Sequence, residues 1–253
     1  MTVPRWVGLA LGCVLAVYLT QDGSTLGLGL MLAAPVFAAS VTAGILVGEA
    51  LVARPGGRVR TAGLRRRSAA GYLSRPLRWA LGGLTSALVL LLAVTTATGS
   101  ADDMGRAGRS LDYTCGDRLG GSVGPWPGSY YSVPLLAALA VGGILSALTI
   151  RRIASRPVDP SLTSETDDRI RRGAARLVGS GWGLLVSVPL TGTGLVTWGA
   201  VSNAGCGGTA WSLFYPLPAL ALTVVGAGAS LWFLLAVLAP SAGLRSPGDA
   251  VAL

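Results

Sequence analysis

Residues 213–238 read LFYPLPALALTVVGAGASLWFLLAVL, a stretch of apolar and small residues without a charged side chain. A helix needs about 20 predominantly apolar residues to cross the hydrocarbon core of a bilayer. Because this stretch exceeds that length, it predicts a transmembrane helix.

Five more apolar runs lie upstream, and together the runs predict an all-α membrane protein. We expect a single transmembrane domain over residues 1–253, a bundle of about six transmembrane helices in the cell membrane. The predicted spans are residues 6–20, 26–48, 79–98, 133–150, 181–201 and 213–238. The first run is short for a span, but no clear A-x-A cleavage site follows it, which favours a retained helix over a signal peptide.

The charges between these runs predict the orientation of the bundle. The segment 52–78 carries eight arginines and no acidic residue, and the segment 151–176 carries seven arginines and four acidic residues. In the segment 99–132, three arginines are outnumbered by four aspartates. Basic residues near the ends of spans mark the cytoplasmic side. We therefore expect the basic loops 52–78 and 151–176 and both termini in the cytoplasm, and the outer loops 99–132 and 202–212 on the opposite side.

Similar residues recur near the start of the odd-numbered spans and suggest an internal repeat of three helical hairpins. Arg5-Trp6 opens the first span, Arg78-Trp79 opens the third, and Trp182 lies at the start of the fifth. Parallel repeats of this kind occur in several transporter folds. The alternative is that membrane interfaces recruit Trp and Arg independently in each hairpin.

The composition argues against several classes of function. The chain contains no His, which removes the commonest general base and the commonest metal ligand. It also has no phosphate loop, zinc motif or nucleophile elbow. We therefore expect no enzyme, no catalytic residue and no cofactor or metal site. The net charge of +9 does not indicate a nucleic-acid partner, because the basic loops lack interleaved aromatic side chains that stack on bases.

Two cysteines fall in the predicted outer loops, Cys115 in the segment 99–132 and Cys206 in the segment 202–212. An oxidising compartment permits a disulfide between them. The bond would tie the two outer loops together. The alternative is two unpaired thiols in separate loops.

Three residues within or beside the spans could belong to a transport pathway. Glu49 lies at the end of the second span, where the alternative is an interfacial ion pair with an arginine such as Arg54. Pro35 and Pro189 lie inside the second and fifth spans. Proline frees a backbone carbonyl, and a helix broken in this way can line a substrate site. The alternative is a kinked helix that only packs.

The arginines of the basic loops are candidate contacts for a partner protein or for anionic lipid. Arg65, Arg66 and Arg67 form one cluster, and Arg171 and Arg172 form another. Each arginine near a negatively charged membrane surface contributes about 1 kcal/mol to binding. We expect the partners to be the lipid bilayer and another membrane protein or an ATP-binding protein.

The end of the second span and the first basic loop resemble a known group of proteins. The residues that carry the resemblance are Gly48-Glu49, Arg54-Pro55-Gly56-Gly57, Arg60-Thr61-Ala62, Leu64 and Tyr72-Leu73. In these residues the chain is similar to uncharacterised actinobacterial integral membrane proteins with about six spans. The resemblance implies a cell-membrane location, but no activity and no functional residues.

Three functions remain open from the sequence. The favoured one is a non-enzymatic subunit or accessory of a transport or envelope complex that contacts its partners through the basic loops. The second is an autonomous small-molecule permease with a pathway near Pro35 and Pro189. The third is an intramembrane enzyme acting on lipids, which is least favoured because no acid–base pair lies at a plausible depth.

Overall fold

The computed structural model describes residues 2–21, 27–51, 69–115, 119–155, 163–204 and 216–238. These residues form a helical bundle with one short hairpin of strands between the third and fourth helices. The helices are α1 Thr2–Gln21, α2 Leu28–Leu51, α3 Arg75–Thr98, α4 Ser129–Ser155, α5 Ser164–Asn203 and α6 Leu217–Leu238. A short 3-10 helix, Ala69–Tyr72, precedes α3, and the strands β1 Leu111–Cys115 and β2 Leu119–Val123 pair antiparallel.

Within the described ranges, the five helices α2 to α6 are long and apolar enough to cross a membrane. The apolar part of α1 is shorter and covers Trp6–Gln21. These helices agree with the predicted all-α membrane bundle. They overlap five of the six predicted spans, although α5 with its 40 residues is much longer than the predicted span 181–201.

Two connecting segments differ from the sequence prediction. Most of the predicted basic loop 151–176 is helical, because α4 continues to Ser155 and α5 begins at Ser164. The hydroxyl of Thr163 caps α5 by accepting from the backbone N–H of Thr166 at 3.3 Å, and Glu165 and Asp167 lie in its first turn. A capping hydroxyl and early acidic residues both stabilise a helix start. The predicted outer loop 99–132 contains the β1–β2 hairpin and the first turn of α4.

Helix α5 is the centre of the bundle and packs against α2, α3, α4 and α6. The largest core cluster is mainly leucine, with Leu88, Leu135, Leu190 and Phe233 fully buried. Large apolar side chains such as Leu90 and Leu231 are more than half exposed on the outer faces of the helices. Apolar residues both inside and outside are expected when lipid, rather than water, surrounds a bundle.

Small residues allow the closest helix contacts. A Cβ atom on Gly44 of α2 would lie 2.7 Å from the carbonyl oxygen of Pro4, and one on Gly226 of α6 would lie 2.7 Å from Oγ1 of Thr191. Such approaches let backbones pack tightly in lipid. Helices α1 and α2 therefore form one close pair, and α5 and α6 form another.

The middle pair of helices does not pack in this way. Helices α3 and α4 barely contact each other, and each packs mainly against other helices of the bundle. Trp182, a residue of the suggested repeat, lies well inside α5 and donates its indole N–H to Thr85 Oγ1 at 3.2 Å. The packing thus differs between the middle pair and the two outer pairs, and the repeat stays a prediction from the sequence motifs.

The bundle has two chemically distinct ends. The start of α3, the end of α4 and the start of α5 meet at one end, where Arg171 donates to the carbonyl oxygen of Ile153 at 2.6 Å. We call this the basic end. The described residues of the segment 99–128, which are 99–115 and 119–128, form the opposite, hairpin end with the adjacent ends of α3 and α4. There Trp126 donates its indole N–H to the carbonyl oxygen of Thr95 at 2.8 Å.

Candidate functional site

The basic end exposes a group of arginines that no carboxylate neutralises within the described part of the chain. Their side chains project from three helices into the surroundings of the bundle. They are Arg75, Arg78, Arg151, Arg152 and Arg172. By contrast, the exposed Arg169 pairs with Glu165 at 2.9 Å. Clustered cations of this kind produce a positive potential that attracts acidic surfaces.

A buried ion pair holds this end together. Arg171 Nε donates to Asp167 Oδ2 at 2.8 Å, and the two side chains are 0% and 1% exposed. Arg171 Nη1 also donates to the carbonyl oxygens of Ile153 at 2.6 Å and Ala154 at 3.4 Å. These carbonyls belong to the last turn of α4, where a helix leaves its acceptors without donors of its own. The guanidinium therefore joins α4 to α5.

The burial of Arg171 corrects its predicted role as a contact for partner or lipid. Its guanidinium is paired with Asp167 and bonded to the last turn of α4. Arg171 therefore stabilises the helices that carry the exposed arginines, but it is not accessible to a partner. Arg172, the next residue, is exposed, and its role as a contact stays a prediction. Because a helix turns by about 100° per residue, adjacent residues point in different directions. This pair was not predicted, although the spacing of four residues between Asp167 and Arg171 on a helix is a signal that could have found it.

A cavity of about 360 Å³ lies between the start of α3 and the start of α5. It contains aromatic, hydroxyl and guanidinium groups. It is lined by Gly71, Tyr72, Ser74, Leu77, Arg172, Gly173 and Arg176. A guanidinium binds a carboxylate or a phosphate through two parallel N–H donors. The cavity can therefore accept an acidic group of a partner.

Several predicted site residues lie outside the described residues. Arg65, Arg66 and Arg67 are among these, and so is Cys206. Cys115 ends β1, but its side chain is not among those described. The predicted disulfide therefore stays a prediction.

The residues suggested for a transport pathway lie within helices. Glu49 belongs to the end of α2, although its side chain is outside the described set. Pro35 and Pro189 are buried inside α2 and α5. Helix α5 runs unbroken through Pro189, whereas the pathway hypothesis envisaged a broken helix.

The hydroxyl groups around Pro189 are engaged within the bundle. Thr193 donates to the carbonyl oxygen of Pro189 at 2.7 Å, and Thr191 donates to that of Ser187 at 2.9 Å. Ser230 of α6 donates to Ser187 Oγ at 2.9 Å. Neighbouring hydroxyls commonly satisfy the backbone around a membrane proline in this way. These groups therefore stabilise the α5–α6 contact.

The hairpin end is organised by one carboxylate. Oδ1 of Asp102 accepts from the backbone N–H groups of Met104 at 3.1 Å and Arg106 at 2.8 Å. Oδ2 accepts from Arg106 Nε and from Arg109 Nη1, both at 2.9 Å. Burial raises the pKa of Asp102, but the hydrogen bonds and charge of Arg106 outweigh it and hold the pKa below its ordinary value. This arrangement was not predicted, although the spacing of Asp102, Arg106 and Arg109 around two glycines is its sequence signal.

Arg109, which pairs with Asp102, also contacts the aromatic side chains at the start of α4. Its guanidinium lies 5.0 Å from the ring centroid of Tyr130. Burial lowers the pKa of Arg109, but a hydrogen bond with Tyr131 and the charge of Asp102 raise it above its ordinary value overall. Through its contacts with Asp102 and Tyr130, the arginine joins the described part of the hairpin end to the start of α4.

Searches of protein-family models, curated proteins and solved structures found no match to this chain. Among the residues that the structure describes, no group of three or more His, Cys, Asp or Glu side chains could hold a metal ion.

Proposed function

We propose that this chain is a multi-pass protein of the cell membrane that serves as a non-enzymatic subunit or accessory of a larger membrane complex. In this proposal it has six spans with both termini in the cytoplasm. The basic end then faces the cytoplasm and docks an acidic surface of a partner, such as another membrane protein or an ATP-binding protein.

One observation carries the proposal. Five exposed arginines of the basic end have no ion pair within the described residues, although acidic residues lie close by in the sequence. Of those neighbours, Glu165 and Asp167 are each committed to another arginine. A group of unneutralised arginines raises the local potential and steers an acidic partner toward the surface.

The rigidity of this end also supports the proposal. The Asp167–Arg171 pair joins α4 to α5 through charge-assisted hydrogen bonds. An interface built on fixed helices loses less conformational entropy on binding than one built on mobile loops. Arg151 and Arg152 of α4 and Arg172 of α5 are therefore held in a constant relative position.

The surroundings of Pro189 favour this function over a permease. The hydroxyls of Thr191 and Thr193 donate to backbone carbonyls of α5. The hydroxyl of Ser230 on α6 donates to Ser187 Oγ on α5. Groups that bind a substrate must offer free donors or acceptors to it. The permease hypothesis stays a prediction, and uptake by the purified protein in liposomes tests it.

The experiment is affinity purification of the tagged full chain from its host in mild detergent, followed by mass spectrometry. We expect a stoichiometric membrane or ATP-binding partner whose recovery falls as salt rises, because exposed charges are screened over about 8–10 Å at physiological ionic strength. Arg151→Gln combined with Arg152→Gln and Arg172→Gln should reduce recovery of that partner. Isolation of the chain alone, repeatedly and at low salt, would contradict the proposal.

Arg169→Gln is the matched control. Arg169 is exposed, like Arg172, and lies on the same helix, but Glu165 already neutralises it at 2.9 Å. We expect this variant to recover the partner nearly as well as the unmodified chain. An equal loss with Arg169→Gln would indicate general charge attraction instead of docking on the unpaired arginines.

A further inference from the structure

An apolar groove runs along the outside of the bundle between α3 and α6, with α5 beneath it. Its volume is about 390 Å³. The α3 wall includes the small residues Ala80, Gly83 and Ala87 beside the larger Trp79 and Leu84. A Cβ atom on Gly83 would meet no other atom within 4 Å, so the wall is open at that point.

The opposite wall is formed by α6. Its lining residues include Leu222, Val225 and Ala229, and Leu190 of α5 also lines the groove. These side chains offer no hydrogen-bond partner that would order water. An empty groove would forfeit the van der Waals contacts of its lining atoms. In a bilayer, the group that fits such a groove is a hydrocarbon chain.

A basic mouth adjoins the groove at the start of α3. A second cavity, of about 550 Å³, is lined by Arg75, Arg78, Trp79 and Gly82. Trp79 lines both cavities and is 81% exposed. Arg75 and Arg78 are three residues apart, so both side chains reach the same side of the helix. Neither of them has an ion pair within the described residues.

The dimensions of the groove fit one leaflet of a membrane. From Trp79 to Ala87 the helix rises about 12 Å at 1.5 Å per residue. Half of the hydrocarbon core of a bilayer is about 15 Å. Trp and Arg at the start of a span are the residues expected at the headgroup level. The apolar groove then lies at the depth of acyl chains, and the arginines lie at the depth of phosphates.

We propose that this groove and its mouth bind one phospholipid with a negatively charged headgroup. The phosphate and headgroup accept hydrogen bonds from the guanidinium groups of Arg75 and Arg78. One acyl chain lies along Gly83 and Ala87, with Trp79 at the junction. Arg75 and Arg78 also belong to the exposed arginines of the basic end, so this inference shares them with the proposed docking surface. The lipid experiments use the chain without a partner, and Arg151, Arg152 and Arg172 carry the separate test of docking.

The first experiment compares two lipids on the purified full chain. Native mass spectrometry in mild detergent would follow the binding of phosphatidylglycerol and of phosphatidylcholine with identical acyl chains. We expect one phosphatidylglycerol to bind about 30-fold more tightly, which corresponds to about 1 kcal/mol for each of two arginines. Equal retention of the two lipids would overturn the proposal, as would occupation of the groove by a second copy of the chain without lipid.

The mouth is tested by Arg75→Gln combined with Arg78→Gln. This variant should lose the preference for phosphatidylglycerol and keep the weaker binding shared by both lipids. The matched control is Arg151→Gln combined with Arg152→Gln, which removes two exposed, unpaired arginines from another helix of the same end. An equal loss of preference in the control would show a general surface charge effect and no site.

The groove is tested by Gly83→Leu, because a Cβ atom at Gly83 meets no other atom within 4 Å and the rest of the leucine side chain would extend into the groove. We expect retention of both lipids to fall by at least about tenfold, because the leucine side chain would occupy the space of the acyl chain and remove its van der Waals contacts with α3 and α6. Gly228→Leu is the control, because Gly228 lies on α6 in open space but does not line the groove. Unchanged retention in Gly83→Leu would overturn the proposal. If inorganic phosphate competed with the lipid and Gly83→Leu had no effect, the mouth would bind free phosphate and no lipid.

Discussion

At the hairpin end, Arg106 and Arg109 both donate to the carboxylate of Asp102. At the basic end, one arginine, Arg171, is buried in the same way against Asp167, while five others are exposed without an ion pair among the described residues. Both ends thus use an arginine–aspartate contact to fix helices or loops. They differ in the arginines that have no acidic partner. Among the residues that the structure describes, such exposed arginines lie at the basic end, where they can attract another molecule. The number of arginines is therefore a poorer guide to function than the number that no carboxylate neutralises.

The largest expected effect comes from breaking the internal pair of the basic end. Arg171→Met leaves the carboxylate of Asp167 buried without its cation, which costs about 3–5 kcal/mol of unfolding free energy. Thermal unfolding in detergent should show a large fall in Tm. Glu165→Gln, which removes the exposed partner of Arg169, should cost at most about 1 kcal/mol. Equal effects of the two variants would mean that the Asp167–Arg171 pair is not buried.

The next effect tests the backbone packing of the hairpin end. Gly108 has a φ of 71°, and a Cβ atom there would lie 2.5 Å from the backbone nitrogen of Ser129. Gly108→Ala should therefore cost more than the roughly 1–2 kcal/mol of a left-handed residue alone. Gly105→Ala is the matched control, since Gly105 has a φ of 76° and open space around it. We expect a larger fall in Tm for Gly108→Ala, and equal falls would contradict the close contact with α4.

A smaller effect is expected from the anchor between the hairpin end and α3. Trp126→Phe removes the indole N–H that donates to the carbonyl oxygen of Thr95 at 2.8 Å. The loss should be about 1 kcal/mol for the hydrogen bond, with faster hydrogen exchange in β1 and β2. Trp182→Phe, whose indole N–H donates to Thr85 Oγ1 inside the bundle, should leave exchange in these strands unchanged. If exchange in β1 and β2 of Trp126→Phe is as slow as in the unmodified chain, Trp126 does not anchor the hairpin end to α3.

The smallest effect is a pH dependence confined to the hairpin end. The pKa of Asp102 is held below its ordinary value of 3.8 in the folded chain. Its stabilising contribution is therefore fully present above the pKa of the unfolded chain and is lost as the pH falls through the lower folded pKa. After correction for the intrinsic exchange rate at each pH, hydrogen exchange in β1 and β2 should accelerate below about pH 4, and Asp102→Asn should remove that acid-induced acceleration. An acceleration of equal size in Asp102→Asn would assign it to another group.

Much of the fold could be predicted from local pattern alone. The apolar runs identified α2, α3, α4, α5 and α6, because the length of an uncharged run is a direct measure of its ability to cross a membrane. The start of α5 was missed, since the stretch from Ser164 to Arg176 is charged and reads as a loop. Its capping threonine and its i, i+4 charge pairs are weaker signals than hydrophobicity.

The candidate site was only partly predictable. The sequence indicated that the segments around Arg151 and Arg172 were basic, but it assigned the same role to Arg171 and Arg172. Arg171 is buried and Arg172 is exposed because the last turn of α4 lies beside Arg171, and its carbonyls accept hydrogen bonds from that side chain. The groove beside Trp79 was not predicted, because it is formed by faces of α3 and α6 that are distant in the sequence.

The sequence by itself determined that this chain contains a set of long apolar helices joined by segments of unequal charge. Composition and run length are local properties, and the cost of burying an unpaired charge in lipid makes them decisive. Only the tertiary structure decided which arginines are buried, which are exposed, and where an apolar groove meets a basic mouth. These features depend on which helices pack together, and hydrophobic patterns that are apolar on every face do not specify helix neighbours.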